Sequence, residues 1–305
     1  MIAHFYIMAE SFVNNAAYSL HVIEDKIKRL AEDVQLINQY KDENKVYTNY
    51  TDLYPQLFYG GYTVGDFICE PTKLKEEGVD RDVINAMFKV IEKSEETSLT
   101  SAEVISELLN WNDDNNAHGL IAFHNVGSLS PESQVVYGVD SWYKFKRYFL
   151  GEFPKDEKYF LGQCEKYFPR LTFHEDNIVS LCAIFPDFSK SVVKHLSHLN
   201  DVFYTYKHKS FANESEKYKL FSAECSLDED AAPKDSNSAK EKLTYIFKDN
   251  KGGDKKVSCY PHLRLCKSDK AGDTKYYYNR IYFHEGFADV AKGNILIGHI
   301  GKHRD

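Results

Sequence analysis

The chain has 305 residues, a mass of 35.3 kDa and a formal net charge of -8, with 43% hydrophobic and 14% aromatic residues, which is enough apolar material for two packed cores. Its longest apolar runs fall far short of a membrane span. The opening Met1-Ile2-Ala3-His4-Phe5-Tyr6 also lacks the basic flank, apolar stretch and small-residue cleavage site of a secretory signal, so a cytoplasmic protein with no membrane partner is expected.

In chain order, Ile2 to Ala9 reads as an opening strand. Phe12 to Tyr40 then reads as one long amphipathic helix, with Leu20, Ile23, Ile27, Leu30, Val34 and Ile37 at helical spacing. Val46 to Tyr50 is short and β-prone, and Tyr54 to Phe67 reads as turns and short strands, giving Tyr62 and Asp66 turn or core roles. Asp80 to Ser94 is a second helix. Thr100 to Asn110 is a third, opened by a capping box in which Thr100 and Glu103 exchange hydrogen bonds. The Asp113-Asp114-Asn115-Asn116 loop lacks the spaced acids, central Gly and terminal Glu of a calcium loop, and a strand over Gly119 to His124 follows.

Val139 to Leu150 mixes aromatic and basic residues. Trp142, Phe145 and Phe149 fall at helical spacing, which predicts a helix with an aromatic core face and a basic solvent face. Asp156 to Phe168 is a further helix, Leu171 to His174 a short strand or loop, and Ile178 to Phe185 either a buried strand or a helix start. Phe188 to His208 reads as a helix on which His195 and His198 share a face, with no Cys or carboxylate spaced to complete a metal site. The six cysteines (Cys69, Cys164, Cys182, Cys225, Cys259, Cys266) show no repeating spacing and read as reduced thiols.

Composition shifts between Ser222 and Lys242, where apolar content nearly vanishes. This predicts a flexible acidic linker and a domain boundary. From Lys242 to Asp305 there are 13 Lys and Arg against 7 Asp and Glu, with four histidines, whereas the preceding 241 residues hold 25 against 39. The expected fold class is therefore α+β. An acidic α/β scaffold or regulatory domain spans 1–221, the linker spans 222–241, and a small basic, mostly antiparallel β domain spans 242–305. A basic module is the electrostatic footprint of a surface that meets phosphate. Four strand-like segments are expected in it: Lys242 to Lys248, Val257 to Cys266, Tyr276 to His284 and Asn294 to His303. Alternation puts Arg280, Tyr282 and His284 on one side, with Ile281 and Phe283 on the other. His299 falls with Ile295 and Ile297.

The order Leu263-Arg264-Leu265, Arg280-Ile281-Tyr282-Phe283, Ile295-Leu296-Ile297-Gly298-His299 and a closing Lys302-His303 resembles the last strands of the RelE/HigB/ParE toxin superfamily, over about 45 residues. The resemblance implies a small antiparallel sheet with helices on one face and metal-independent cleavage of mRNA by basic, tyrosyl or histidyl side chains. The chemistry can also be read from the residues. Such cleavage needs a base for the ribose 2′-OH, an acid for the leaving 5′-oxygen and cations around the phosphorane. His284, His299, Tyr282 and Arg280 are the expected catalytic groups, and Arg264, Lys302 and His303 the expected substrate contacts. The competing reading is a sheet whose edges are blunted by Lys, Arg and His. A zinc site from Cys259, His262 and Cys266 is disfavoured, because positions seven apart on one strand face opposite sides. The functional expectation is a toxin-like or anti-phage defence ribonuclease that uses no metal and no cofactor, with RNA favoured over DNA. The alternative is a non-catalytic nucleic-acid- or protein-binding subunit of a bacterial defence or regulatory complex. The acidic domain is a candidate surface for a protein partner.

Overall fold

The structure is a computed structural model, and it describes residues 1–12, 18–40, 43–108, 110–124, 132–233 and 242–304. Helices and mixed sheets make the fold α+β. The chain divides into two compact units, Met1–Lys146 and Arg147–Asp305. Among the described residues no helix is long and apolar enough to cross a membrane.

The first unit contains β1 (Ile2–Ile7), β2 (Asn44–Thr48), the short hairpin β3 (Leu57–Tyr59) and β4 (Tyr62–Thr63), β5 (Glu95–Glu96), β6 (Asn116–Ile121) and β7 (Val135–Val136). Five of these form a parallel sheet in the order β5-β2-β1-β6-β7. The chain steps outward from β1 through β2 to β5, then crosses back to β6 on the far side of β1. The direction of winding therefore reverses between β1 and β6.

Alternation along β1 buries Ala3, Phe5 and Ile7 on one side. Phe5 meets Phe145 at a ring separation of 4.7 Å. Gly119 lies opposite Phe5 in register, and a Cβ there would sit 2.5 Å from the Phe145 ring. β6 runs over Asn116–Ile121 rather than from Gly119 to His124 because it pairs with Ile2–Ile7 along that whole register, which makes Gly119 a packing position inside the strand.

The helix after β1 covers Leu20–Gln39 and buries Ile23, Ile27, Leu30, Val34 and Ile37. It starts later than Phe12 because Ala9–Phe12 forms a 3-10 turn and Ser19 is extended; the expected stretch 13–17 lies outside the described residues. The capping box of Thr100 and Glu103 is present, with the Glu103 amide donating to Thr100 Oγ1 at 3.3 Å and the Thr100 amide to Glu103 Oε2 at 2.9 Å. Thr63 and Asp66 form a second box, so Asp66 opens helix Val64–Cys69.

In helix Val139–Glu152 the aromatic residues Trp142, Phe145 and Phe149 are buried as expected. The basic solvent face is reduced to Lys144, which is exposed, since Lys146 and Arg147 are buried. Arg147 is needed inside: its Nε donates to the Tyr167 carbonyl at 2.6 Å and its Nη1 pairs with Asp201 at 2.7 Å, which satisfies a charge that would otherwise be costly to bury.

The second unit holds helices Glu157–Tyr167, Asn177–Leu181, Ser189–Ser197 and Glu214–Glu224 together with six strands: β8 (Leu171–Phe173), β9 (Thr244–Lys248), β10 (Asp254–Ser258), β11 (His262–Leu265), β12 (Asn279–His284) and β13 (Ile295–Lys302). The stretch from Ile178, open between strand and helix, is helical through Leu181. β9 and β10 pair as an antiparallel hairpin. The larger sheet has the order β11-β12-β13-β8, antiparallel except for the last pair. The expected segment Val257 to Cys266 splits into two strands in different sheets, separated by Cys259-Tyr260-Pro261.

The division of the chain thus falls at 146/147 and not at 222–241. The physical reason is a shared core. Leu263, Leu265, Ile281, Phe283, Ile295, Ile297 and Ile300 of the tail sheet pack with Phe160, Leu196, Phe203 and Phe221 of the preceding helices, and β8 completes the sheet. Much of the expected linker is also tied down. Ser222 is buried in helix Glu214–Glu224, Glu229 pairs with Arg264 at 3.0 Å, and Ala232 bridges to His262. Positions 234–241 lie outside the described residues. Charge still separates by unit: the first carries 12 Lys and Arg against 23 Asp and Glu, the second 26 against 23.

Candidate functional site

The tail sheet has two unlike faces. One is the aliphatic and aromatic face just described. The other carries the polar residues in rows fixed by strand register: His262, Tyr282 and His299 stand side by side across β11, β12 and β13, and Arg264 stands beside Arg280 and Gly301 in the next row. His299 reaches this face because the register shifts between Tyr282 and Phe283, making Gly298 the extra residue of a bulge. That bulge overturns the expectation that His299 shares a face with Ile295 and Ile297. A glycine is required at 298, since a Cβ there would stand 2.5 Å from the Tyr245 ring and 2.8 Å from the Cys259 sulfur.

Tyr282 is the hub. Its ring centroid lies 5.2 Å from His262, 5.9 Å from His299 and 6.4 Å from His303. Its hydroxyl shares a 2.7 Å hydrogen bond with His303 Nδ1. The group is packed rather than open: Tyr282 is 0% exposed, His262 1%, His299 4% and Arg280 7%. Leu243, Tyr245 and Phe247 at β9, with Val257, Cys259, Val290 and Leu296, cover it.

His299 Nε2 faces the Lys302 carbonyl at 2.9 Å. A carbonyl only accepts, so that nitrogen carries the proton and Nδ1 presents a lone pair. Nδ1 is buried with no hydrogen-bond partner. Burial, followed by the nearby Arg304 charge and against the Lys302 bond, pushes the His299 pKa down to about 4. The ring is therefore neutral at pH 7 and shielded from solvent, an environment that suits a structural group better than a proton-transfer group.

The other expected residues scatter by role. Arg280 donates from Nη1 to the Asn279 carbonyl at 2.9 Å, and its Nε has no partner. Arg264 is half-buried and held by Glu229. His284 stacks on Phe287 at 4.3 Å, accepts the Gly286 amide at Nδ1, and has its pKa lowered by burial. Lys302 is exposed and His303 half-buried at the end of β13. The structure thus gathers His299 and His303 around the Tyr282 ring, with only His303 at its hydroxyl, sets Arg264 and Arg280 in the adjoining row, and leaves His284 against Phe287.

Three residues escaped the sequence reading. His262 was weighed only as a zinc ligand, yet it completes the row through Tyr282. Tyr276 and Tyr278, just ahead of β12, are 44% and 65% exposed, with ring centroids 5.1 Å apart, whereas Tyr277 between them packs on Phe188. The His303 amide donates to the Tyr278 carbonyl at 2.8 Å, and a hydrogen bond with Cys266 raises the Tyr276 pKa. Extending the two-residue period of Arg280 and Tyr282 backwards finds both tyrosines.

Among the described residues no three His, Cys, Asp or Glu side chains converge to hold a metal ion. Cys259 lies in the packed cover over Tyr282. Asp113 Oδ1 accepts the amides of Asn115 and Asn116, both at 2.7 Å, as a local turn. His195 Nδ1 donates to the Ser191 carbonyl at 2.7 Å. No protein-family model, curated protein or solved structure matches the chain.

Proposed function

We propose that the protein binds single-stranded nucleic acid, RNA in the first place, at the exposed tyrosine segment that leads into β12, as a binding protein rather than through catalysis by the buried histidines. The observation that carries this reading is the pair of solvent-exposed rings, Tyr276 and Tyr278, set edge to face at 68° at the open end of a row that continues into Arg280, beside Arg264 and His303. Adjacent rings accept stacked bases, and the flanking cations meet the backbone phosphates. In this reading the buried His262, Tyr282 and His299 hold the strands in register, and Arg264 is the reachable cation, with the half-buried His303 ring beside the row. The second unit's excess of basic over acidic residues favours the same ligand.

One observation favours the cleaving alternative. His303 is half-buried, its ring is fixed by the Tyr282 hydroxyl, and it stands beside Lys302 and Arg304 at the strand end, so it is the reachable acid or base if RNA is cut.

The test is anisotropy titration of labelled single-stranded RNA and matched DNA with the full chain, followed by a cleavage assay in EDTA. Each base stacked on an aromatic ring is worth about 1–3 kcal/mol. Tyr276→Ala and Tyr278→Ala should therefore each weaken RNA about fivefold or more, and affinity should fall with added salt. Unchanged affinity in both variants removes the reading. Cutting in EDTA that vanishes in His303→Ala would replace it with the ribonuclease.

A further inference from the structure

A second group of side chains, in the other unit, points to a small-molecule site. In a parallel sheet wound in both directions, the strands diverge at the reversal point and leave a crevice at their carboxyl ends, where ligands bind. Here that point lies between β1 and β6. The two strand ends are joined by Ser11, whose Oγ donates to the Met8 carbonyl at 2.6 Å and accepts the Phe123 amide at 2.9 Å.

Two cations from helix Leu20–Gln39 converge on this edge. Arg29 Nη2 donates to the carbonyls of Ala122 at 3.2 Å and Phe123 at 2.7 Å, capping the end of β6. Its guanidinium lies 3.6 Å from the Tyr137 ring centre, while Nε and Nη1 are buried without hydrogen-bond partners. Lys26 Nζ is 3.2 Å from the Tyr137 hydroxyl and stands over the rings of Tyr18, at 5.2 Å, and Phe123, at 6.0 Å. Among the described residues no carboxylate lies within ion-pair distance of Lys26. The nearest acid to the pair is Asp33, 3.8 Å from Arg29, where it accepts the Gly138 amide.

This local positive charge sits in the more acidic of the two units, with 12 basic against 23 acidic residues. His124 stacks on Tyr18 at 5.1 Å, and burial, then Lys26 and Arg29, lower its pKa to about 4, so it adds a neutral ring at pH 7. Tyr18 is 41% exposed.

We infer that the crevice between β1 and β6 binds a nucleoside phosphate, with the phosphate on Lys26 and the base on the Tyr18–His124 stack. An ammonium held by aromatic rings without a counter-charge is set to take an anion, and the exposed ring beside it supplies a flat apolar surface. The cations and the ring together select a ligand that carries both a phosphate and an aromatic body. This site is independent of the tail-sheet reading, since it uses none of the same residues.

The experiment is calorimetric titration of the full chain with AMP, ATP, adenosine, inorganic phosphate and pyrophosphate, repeated on K26Q, Y18A and the Tyr276→Ala/Tyr278→Ala pair. AMP or ATP should saturate one site and bind tighter than adenosine or phosphate alone. K26Q should weaken nucleotides on the order of tenfold, Y18A should weaken them while leaving pyrophosphate unchanged, and the tail pair should change neither. Absence of saturable binding by any nucleotide overturns the proposal, as does an affinity indifferent to K26Q in a variant with wild-type circular dichroism. Pyrophosphate binding as tightly as ATP overturns the nucleoside part. Loss of nucleotide binding in the tail pair would move the ligand to the other sheet.

Discussion

The two sheets of this protein put their reactive side chains in different places, and strand direction accounts for it. In the first unit all five strands of the main sheet run parallel. Crossover connections take up the faces of such a sheet, so polar groups collect at the carboxyl edge, as Lys26, Arg29 and His124 do. The second sheet is antiparallel from β11 to β13; both of its faces are packed, and what it leaves to solvent is the segment leading into β12. One face of β12 shows Ile281 and Phe283 to the core. The other shows Arg280 and Tyr282, with Tyr276 and Tyr278 open to solvent ahead of them.

The sharpest way to break the comparison is to exchange the expected costs of the two faces. Phe283 is fully buried and touches the rings of Phe203, at 5.2 Å, and Tyr218, at 6.3 Å. Phe283→Ala should cost about 3–5 kcal/mol of unfolding free energy in a urea titration. Tyr278→Ala should cost under about 0.5 kcal/mol, as surface changes do, while weakening RNA. If Tyr278→Ala proves as destabilising as Phe283→Ala, the exposed face is a packing face and the binding reading goes with it.

Smaller, and specific to the buried polar row, is a pH effect. The folded pKa of His299 is about 4, and the unfolded imidazole titrates near ~6.5. Between those values the unfolded chain binds a proton that the folded chain does not. Stability therefore falls as pH drops below about 6.5, and the loss is complete below about 4. From pH 7 to pH 5 this single group contributes a loss of about 2 kcal/mol. His299→Gln keeps a donor for the Lys302 carbonyl and should flatten that part of the urea-midpoint profile, although His198, lowered to about 4 by burial, adds a slope of the same sign. Asp33, at the other sheet's edge, works in the opposite sense. Burial raises its pKa to about 6, so its contribution falls as pH rises from about 4 to 6, and Asp33→Asn should remove that fall.

The sequence announced the local features and hid the long-range ones. Ile23, Ile27, Leu30, Val34 and Ile37 state a helix face by spacing alone, and Thr100 and Glu103 state a cap, because both are decided within a few residues. The alternation of Arg280, Tyr282 and His284 with Ile281 and Phe283 was legible for the same reason. The bulge at Gly298 was not. What demands it is the Tyr245 ring, 53 positions away, and one inserted residue moves His299 to the other face. The domain boundary failed similarly. The stretch 222–241 has a linker's composition, yet β8 pairs with β13 from 124 positions earlier and draws the tail into the helical core. At the carboxyl edge of the first sheet, Lys26 and Arg29 read as ordinary charges on a helix, and only the strand order sets them beside Phe123 and Tyr137.

The smallest effect separates the two accounts of His303. Tyr282→Phe removes the 2.7 Å bond to Nδ1 and leaves the ring in place among Leu243, Tyr245, Cys259 and Leu296. A single hydrogen bond of this kind is worth about 1 kcal/mol, so the melting temperature should drop by only a few degrees. If the tail face is a binding platform, the loss ends there: His303 turns more freely, the stacking rings at 276 and 278 are untouched, and RNA affinity stays within about twofold of the parent, since under ~0.5 kcal/mol is at stake. If instead His303 moves protons, its ring orientation matters to the reaction. The same substitution would then lower cleavage in EDTA and shift its pH profile while binding stays unchanged, an outcome that a purely structural tyrosine cannot produce.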